Sequence, residues 1–230
     1  MKSLVIIPAY NEEKSIESTV IDIKRNAPDF DYVVVNDCST DATNLRCKEK
    51  GLQILNLPIN LGIGGAVQTG YQYAVKNGYD IAIQFDGDGQ HDAKYLDAMK
   101  KYLVEKQADM VIGSRFIEKE GFQSSGIRRM GIRYFTNLIY VLTRSKITDP
   151  TSGMRMVNRA VMELFANNYP KDYPEPESAV AVLKQNKKIL EYPVIMKERA
   201  EGTSSISPVK GIYYMIKVTL AIFMEKLRRY

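Results

Sequence analysis

Tyr79-Asp80-Ile81-Ala82-Ile83-Gln84-Phe85, followed at once by Asp86-Gly87-Asp88-Gly89-Gln90-His91, is the stretch that decides the fold. The first part is a short, largely apolar run of the kind that fills a strand buried on both faces. The second changes abruptly to two carboxylates and a carboxamide alternating with glycine. In an open, mainly parallel sheet, ligands bind beyond the C-terminal ends of the strands. A buried strand that stops on oxygen ligands fits that edge.

The same alternation recurs on both sides. Residues 3–8 make a short apolar strand closed by Pro8. Asn11 is expected to cap a helix whose first turn carries Glu12 and Glu13, where negative charge meets the positive end of the dipole. Ile16, Val20 and Ile23 give that helix a buried face. Tyr32-Val33-Val34-Val35 lies in a second strand (31–36), a turn at 37–41 leads to a second helix, and 52–55 is a third strand. A helix over 64–77 turns Val67, Tyr71 and Ala74 inward and ends at Gly78. Asp92 then caps a helix with Leu96, Met99 and Leu103 inward, and 109–113 is a fifth strand. Such alternation requires crossover connections, which gives an α/β fold with a mainly parallel central sheet and helices on both faces.

In the second half, 117–126 reads as a loop, 128–144 as a helix and 149–156 as a return to the sheet. Pro170, Pro174 and Pro176 mark a stiff connection before a helix over 177–187, and 189–196 is a strand. The expected organisation is one α/β domain over 1–206 and a terminal helix over 207–230.

The 230 residues carry 32 Lys+Arg against 27 Asp+Glu, a net charge of +5. Both signs are well mixed and no RNA-reading motif or basic aromatic stripe is present, which argues against nucleic acid as a partner. Cys38 and Cys47 are too few for a disulfide framework and lack metal-ligand spacing. No apolar run approaches the roughly 20 residues of a membrane span, and the run at 4–7 is too short for a signal peptide. A cytoplasmic protein is expected.

Hard divalent cations such as Mn²⁺ or Mg²⁺ take oxygen ligands and leave positions open for phosphate oxygens, and glycines let a backbone approach a bulky diphosphate. The run from Asp86 to Gln90 suits both needs, although a solvated acidic turn would read the same from these residues alone. Competing motifs fail on spacing. An EF-hand loop would need glycine at His91 and a helix ahead of it. Gly62-Ile63-Gly64 lacks the third glycine of a dinucleotide fingerprint, and Gly65 and Gly70 are followed by Tyr71 where a P-loop needs lysine. His91, the one histidine, is embedded in the acidic turn, a poor place for a Ser-His-Asp triad.

Six segments in order resemble the inverting family 2 glycosyltransferases of the GT-A fold, most nearly the dolichol- or polyprenyl-phosphate mannosyl- and glucosyl-transferase branch. They are Ile6-Ile7-Pro8-Ala9-Tyr10-Asn11-Glu12-Glu13, Val35-Asn36-Asp37-Cys38-Ser39-Thr40-Asp41, Asn60-Leu61-Gly62-Ile63-Gly64-Gly65-Ala66, Asp86-Gly87-Asp88-Gly89-Gln90, Ile112-Gly113-Ser114-Arg115 and Asp149-Pro150-Thr151-Ser152-Gly153-Met154-Arg155. The resemblance implies metal ligation by Asp86, Asp88 and Gln90. It implies nucleotide contacts from Pro8, Tyr10, Glu12, Val35, Asp37, Gly64, Asp86, Gly87 and Asp88, and phosphate contacts from Arg115 and Arg199. Surface ion pairing is the ordinary alternative for both arginines. In the late segment Glu198-Arg199-Ala200-Glu201-Gly202-Thr203-Ser204-Ser205, serine stands at 205 where the family would place lysine, and Lys210 is a candidate substitute.

A sugar hydroxyl acceptor would need a base, and Glu175 and Glu177 stand where relatives often carry one. Glutamates favoured by a helix dipole would look alike. A polyprenyl-phosphate acceptor is already anionic, and Arg128, Arg129 and Arg133 would then bind its phosphate; otherwise they are a solvated helix face. Ile212, Ile216, Leu220, Phe223 and Leu227 recur at helical steps beside Lys210, Lys217, Lys226, Arg228 and Arg229, a basic amphipathic pattern that can lie in a membrane interface or pack on its own domain or across a dimer. The expected function is transfer from a nucleoside-diphosphate sugar to a polyprenyl-phosphate or lipid-linked glycan acceptor in cell-surface polysaccharide or glycolipid synthesis, peripheral on the inner face of the plasma membrane. A sugar-phosphate nucleotidyltransferase and a non-catalytic sugar-nucleotide-binding subunit are the alternatives.

Overall fold

The computed structural model describes residues 1–121, 126–197 and 208–227. Strand β1 (Ser3–Ala9) is followed by α1 (Ile16–Asn26), β2 (Phe30–Asn36), α2 (Thr43–Glu49), β3 (Ile54–Asn56), α3 (Gly62–Lys76), β4 (Ile81–Gln84), α4 (Leu96–Glu105) and β5 (Met110–Ser114). The second half contains α5 (Gly126–Thr143), β6 (Arg155–Asn158), α6 (Arg159–Asn167), α7 (Pro174–Lys184), β7 (Ile189–Pro193) and α8 (Pro208–Leu227). The strands form one sheet in the order β3-β2-β1-β4-β6-β5-β7. All neighbours are parallel except β6, which runs antiparallel to both β4 and β5. This is the α/β, mainly parallel arrangement expected from the sequence.

Period-two alternation along the strands divides the interior. Leu4, Ile6, Val33 and Val35 face one core with α3, α5, α6, α7 and α8. Val5, Ile7, Val34, Ile81 and Ile83 face the other, beneath α1 and α4. A strand buried on both faces has no polar side, which is why β1 and β4 read as continuous apolar runs.

Four local expectations change. Asn11 does not cap α1: its φ is 58°, and its Oδ1 accepts from the backbone N–H of Thr40 (2.8 Å) and Asp41 (3.3 Å), tying the loop after β1 to the loop after β2. Helix α7 starts at Pro174, because proline at the first helical position loses no hydrogen bond and arrives with helical φ. The proline-rich connection is therefore partly the helix itself, and it ends at Lys184 rather than 187. Helix α6 was not foreseen; Asn158 caps it by accepting from Val161 N (3.0 Å). Finally, 149–156 returns to the sheet only from Arg155, after a tight turn.

The antiparallel sense of β6 decides where that turn lies. Arg155 pairs with Gln84 on one side and Ile112 on the other. The residues just before β6 therefore stand at the same sheet edge as the residues just after β4 and β5.

Helix α8 packs on α7 and α5 through Val218 and Ile222, both buried. Lys217 pairs with Asp172 (2.7 Å), and Lys184 Nζ donates to Glu225 O (2.7 Å). Among the described residues, no helix is long and apolar enough to cross a membrane.

Candidate active site

The sheet reverses its winding at β1, with β2 on one side and β4 on the other, and a crevice opens above the C-terminal ends of these strands. It holds a cleft of about 480 Å³ lined by Pro8, Ala9, Tyr10 and Glu12 after β1, Asp37 after β2, Asn60, Gly62, Ile63 and Ala66 at the start of α3, Asp86, Gly87 and Asp88 after β4, and Glu175 on α7.

The cleft residues after β1 and β2 are braced from below. Asp37 is almost fully buried; its Oδ1 accepts from Leu61 N (2.7 Å), which fixes the start of α3 against β2. Glu12 accepts from Ser15 Oγ (2.6 Å) and its amide donates to Thr43 Oγ1 (2.8 Å). Two residues named from the resemblance stand elsewhere. Val35 is wholly buried in the core and does not line the cleft. Gly64 N donates to Lys171 O (3.1 Å), and a Cβ there would sit 2.0 Å from Pro170 O. Glycine at 64 lets the segment before α7 lie directly on α3.

On the opposite side, Asp86 and Asp88 project into the cleft. Asp88 Oδ1 accepts from Gln90 N (3.0 Å). Gln90 itself is outside the lining; its Nε2 donates to Lys197 O (3.4 Å), and its backbone carbonyl accepts from Lys197 N (2.9 Å). His91 is buried beneath the turn, where its Nδ1 accepts from Asp86 N (3.1 Å). That role leaves the ring proton on Nε2, which faces Asp86 Oδ2 at 3.7 Å.

Among the described residues, no group of three His, Cys, Asp or Glu side chains could hold a metal by itself. Two carboxylates at the mouth of a cleft fit a cation that takes its other oxygens from a diphosphate and water. Gln90 Oε1, on which no described hydrogen bond falls, is a third candidate donor.

Gln84 is the one strongly polar residue within β4. It is fully buried, its Nε2 donates to Asp86 Oδ1 (3.2 Å), and its amide favours the charged form of the nearby Glu175 carboxylate. Tyr169 donates its hydroxyl to Gln84 Oε1 (3.3 Å). One amide thus lies beside two carboxylates from different elements. Burial pushes the Glu175 carboxyl up; Arg155 opposes the rise and Asp86 adds to it. Glu177, two residues on, does not line the cleft.

Arg115 does not reach out as a free cation. Its Nε and Nη2 hold Asp149 Oδ2 and Oδ1, both at 2.7 Å, in a bidentate pair whose carboxylate is wholly buried. Glu191 on the edge strand accepts from Thr148 N and Asp149 N, both at 2.8 Å. These bonds hold the turn at 149–153, whose Gly153 lies so close to Asp86 that a Cβ would come within 2.6 Å of Oδ2. Polar residues inside strands, such as Gln84 and Arg155, were the available signal for this network.

Arg128, Arg129 and Arg133 stand on α5 outside the cleft lining. Tyr214 of α8 links the two regions. Its ring packs edge-on against Tyr173 (4.6 Å) and Phe135 (5.7 Å). Burial raises its hydroxyl, with Glu175 adding to the effect and Arg128 opposing it. Arg199, Ser205, Arg228 and Arg229 lie outside the described residues, as do the side chains of Lys210 and Ile212.

Comparison with known proteins agrees with this geometry. An uncharacterised protein of Methanocaldococcus jannaschii is 31% identical over 92% of this chain and 90% of its own length. The undecaprenyl-phosphate mannosyltransferase of Micrococcus luteus is 27% identical over 90% and 88%. The glucosyl-3-phosphoglycerate synthase of Mycobacterium tuberculosis, crystallised with Mn²⁺, UDP-glucose and phosphoglyceric acid, superposes with a TM-score of 0.74 at 18% identity, covering 98% of this chain and 79% of that one; it shares the GT-A fold. Residues 4–165 match the family described as Glycosyl transferase family 2, and with that match across most of the chain the protein belongs to the family 2 glycosyltransferases.

Proposed function

We propose that the enzyme transfers a sugar from a nucleoside-diphosphate donor to a polyprenyl-phosphate or lipid-linked glycan acceptor at a membrane surface, by inverting displacement. Family membership sets aside the nucleotidyltransferase and the non-catalytic subunit. The main support is the cleft, which Asp86, Asp88 and Glu175 line together with Pro8 to Glu12, Asp37 and the start of α3. The Micrococcus relative, named for an undecaprenyl-phosphate acceptor, supports the lipid side.

In this reading the nucleoside occupies the wall from Pro8 to Glu12, Asp37 and the start of α3. Asp86, Asp88 and Gln90 would hold Mn²⁺ or Mg²⁺, which when bound neutralises charge on the departing diphosphate as a Lewis acid. The acceptor oxygen forms its bond to the anomeric carbon as the bond to the β-phosphate oxygen breaks. Asp86, pinned by Gln84 and Gly153, keeps its carboxylate aimed into the cleft. Glu175, with its carboxyl raised by burial, is suited to take a proton from a hydroxyl acceptor. An anionic phosphate acceptor needs no base and would be steered by Arg128, Arg129 and Arg133.

Helices α5 and α8 support a membrane-facing acceptor. They lie side by side, Tyr134 Oη and Thr219 Oγ1 being 3.2 Å apart. They leave Met130, Tyr134, Tyr213, Ile216, Leu220 and Phe223 exposed. Helix α5 carries three arginines and no acidic residue, as an anionic lipid surface would favour. The protein would then sit peripherally on the cytoplasmic face of the membrane.

The test is a donor screen with purified protein, labelled nucleotide sugars and extracted membrane lipids. Label should enter the lipid fraction with Mn²⁺ or Mg²⁺ and not with a chelator. Metal-independent transfer, or label confined to soluble glycan, would sink the metal site or the lipid acceptor respectively.

A further inference from the structure

We infer that Arg155 is a positioning residue for the transfer reaction: from beneath the cleft it locks together the two segments that carry the acceptor-side wall. Its guanidinium is wholly buried. Nε donates to Ser152 O (2.7 Å), Nη2 to Pro150 O (2.7 Å), and Nη1 to Ser178 Oγ (2.9 Å) and to Glu175 O. One planar fork thus joins the turn before β6 to the first turn of α7.

Both segments end on the reacting region. The turn continues into Gly153, which abuts the Asp86 carboxylate, and α7 presents Glu175 to the cleft. Three of the four acceptors are backbone carbonyls, so the bonds set the path of the chain rather than the rotamer of one side chain.

A structural role alone explains this residue poorly. Burying a guanidinium on neutral partners costs more than filling the same volume with methionine, whose side chain needs no desolvation of charge. The cation sits beneath a cleft lined by Asp86 and Glu175, and its field reaches Glu175, Tyr169 and Tyr214. Its fork also matches two carbonyls two residues apart, which a lysine, with its single point of charge, cannot span. The nucleotide wall at Pro8, Tyr10, Glu12, Asp37 and Asn60 takes no hydrogen bond from it.

The inference rests on the cleft being the transfer site. The test therefore begins with the wild-type full chain, titrated with UDP and with GDP in Mn²⁺ and assayed for transfer. Absence of metal-dependent binding to either nucleotide overturns the site itself. With binding established, Arg155→Met should keep the nucleotide Kd within about threefold and the donor KM unchanged. Its kcat should fall by about 100-fold, the scale of an ångström-sized misplacement. Arg155→Lys should recover only part of that loss, and Ser178→Ala, which removes one acceptor and no charge, should give a smaller fall of the same kind. If Arg155→Met does not fold, the comparison runs on Arg155→Lys and Ser178→Ala. Wild-type kcat in the folded variants, or parallel loss of nucleotide affinity and kcat, would overturn the positioning role while leaving the site intact.

Discussion

Gly153→Ala puts a single methyl group against the carboxylate on which the site depends. The new Cβ would lie 2.6 Å from Asp86 Oδ2 and 3.1 Å from Oδ1, where ordinary contact begins at 3.4 Å. Gly153 does not have the positive φ that would penalise alanine by itself, so the effect is a collision and not backbone strain. Relief requires a displacement of about 0.8 Å, taken by the turn or by Asp86. The turn is held by Arg115, Glu191 and Arg155, whereas the Asp86 carboxylate has only the Gln84 amide at 3.2 Å and His91 Nε2 at 3.7 Å; the carboxylate should yield. Overpacking of this size costs about 1–3 kcal/mol, offset in part by the about 0.4–1 kcal/mol that alanine contributes by restricting the unfolded chain. The folded protein should therefore survive with a modestly lowered Tm. With Asp86 in the proposed metal role, its displacement by nearly an ångström should lower kcat by about 30- to 100-fold, and Mn²⁺-dependent nucleotide binding, measured calorimetrically, should weaken with it. Gly126→Ala, where nothing lies within 4 Å of the new Cβ, is the control. If Gly153→Ala transfers sugar and binds Mn²⁺ and nucleotide like wild type, Asp86 is not set by this wall.

Asp88→Ala should abolish Mn²⁺-dependent nucleotide binding while leaving the melting curve close to wild type; retained metal-dependent affinity would remove it from the metal set. Arg115→Met leaves the Asp149 charge buried without its ion-pair partner, which should cost about 3–5 kcal/mol of stability with nucleotide Kd unchanged in the folded fraction; the reverse pattern would make Arg115 a phosphate ligand. Because burial raises Glu175, the metal-free folded protein holds that proton more tightly than the unfolded chain does. The stability this gives is complete below the ordinary carboxyl value near 4.5 and is lost as pH climbs through the raised one. Glu175→Gln cannot titrate, so its Tm should gain on wild type from about pH 4.5 upward, and parallel Tm–pH curves would refute the shift. Leu220→Glu, on the exposed stripe of α8, should leave folding intact and weaken binding to anionic vesicles by about tenfold, the worth of a half-buried leucine; unchanged co-sedimentation would take α8 off the membrane.

The sequence made the first half of the fold readable because β1, β2 and β4 are buried on both faces and read as unbroken apolar runs ending on polar residues. Asp86 and Asp88 were legible for the same reason: their position follows from the end of one strand. The second half resisted. The short strand β6 contains Arg155, and nothing local reveals that it runs antiparallel, yet its direction brings the turn at 149–153 beside Asp86. Arg115 was legible as a charged residue at a strand end, but its partner Asp149 lies 34 residues away and only the fold joins them. Gln84 sits inside an apolar strand; its task depends on two carboxylates, one of them 91 residues distant. Val35 lies in the core and Gly64 packs against the segment before α7, placements that nothing local in the sequence reveals.

The sheet order β3-β2-β1-β4 followed by β6-β5-β7 keeps the first four strands together on one side and the last three on the other. Among the described residues, a single ladder, β4 against β6, stitches the two groups within the sheet. If the proposed site holds, most of the donor wall comes from the chain before about residue 90 and the acceptor side from the chain after it. Relatives sharing this seam become natural material for hybrids: grafting the later half of one onto the earlier half of another, joined between α4 and β5, should exchange the acceptor while the nucleotide stays the same.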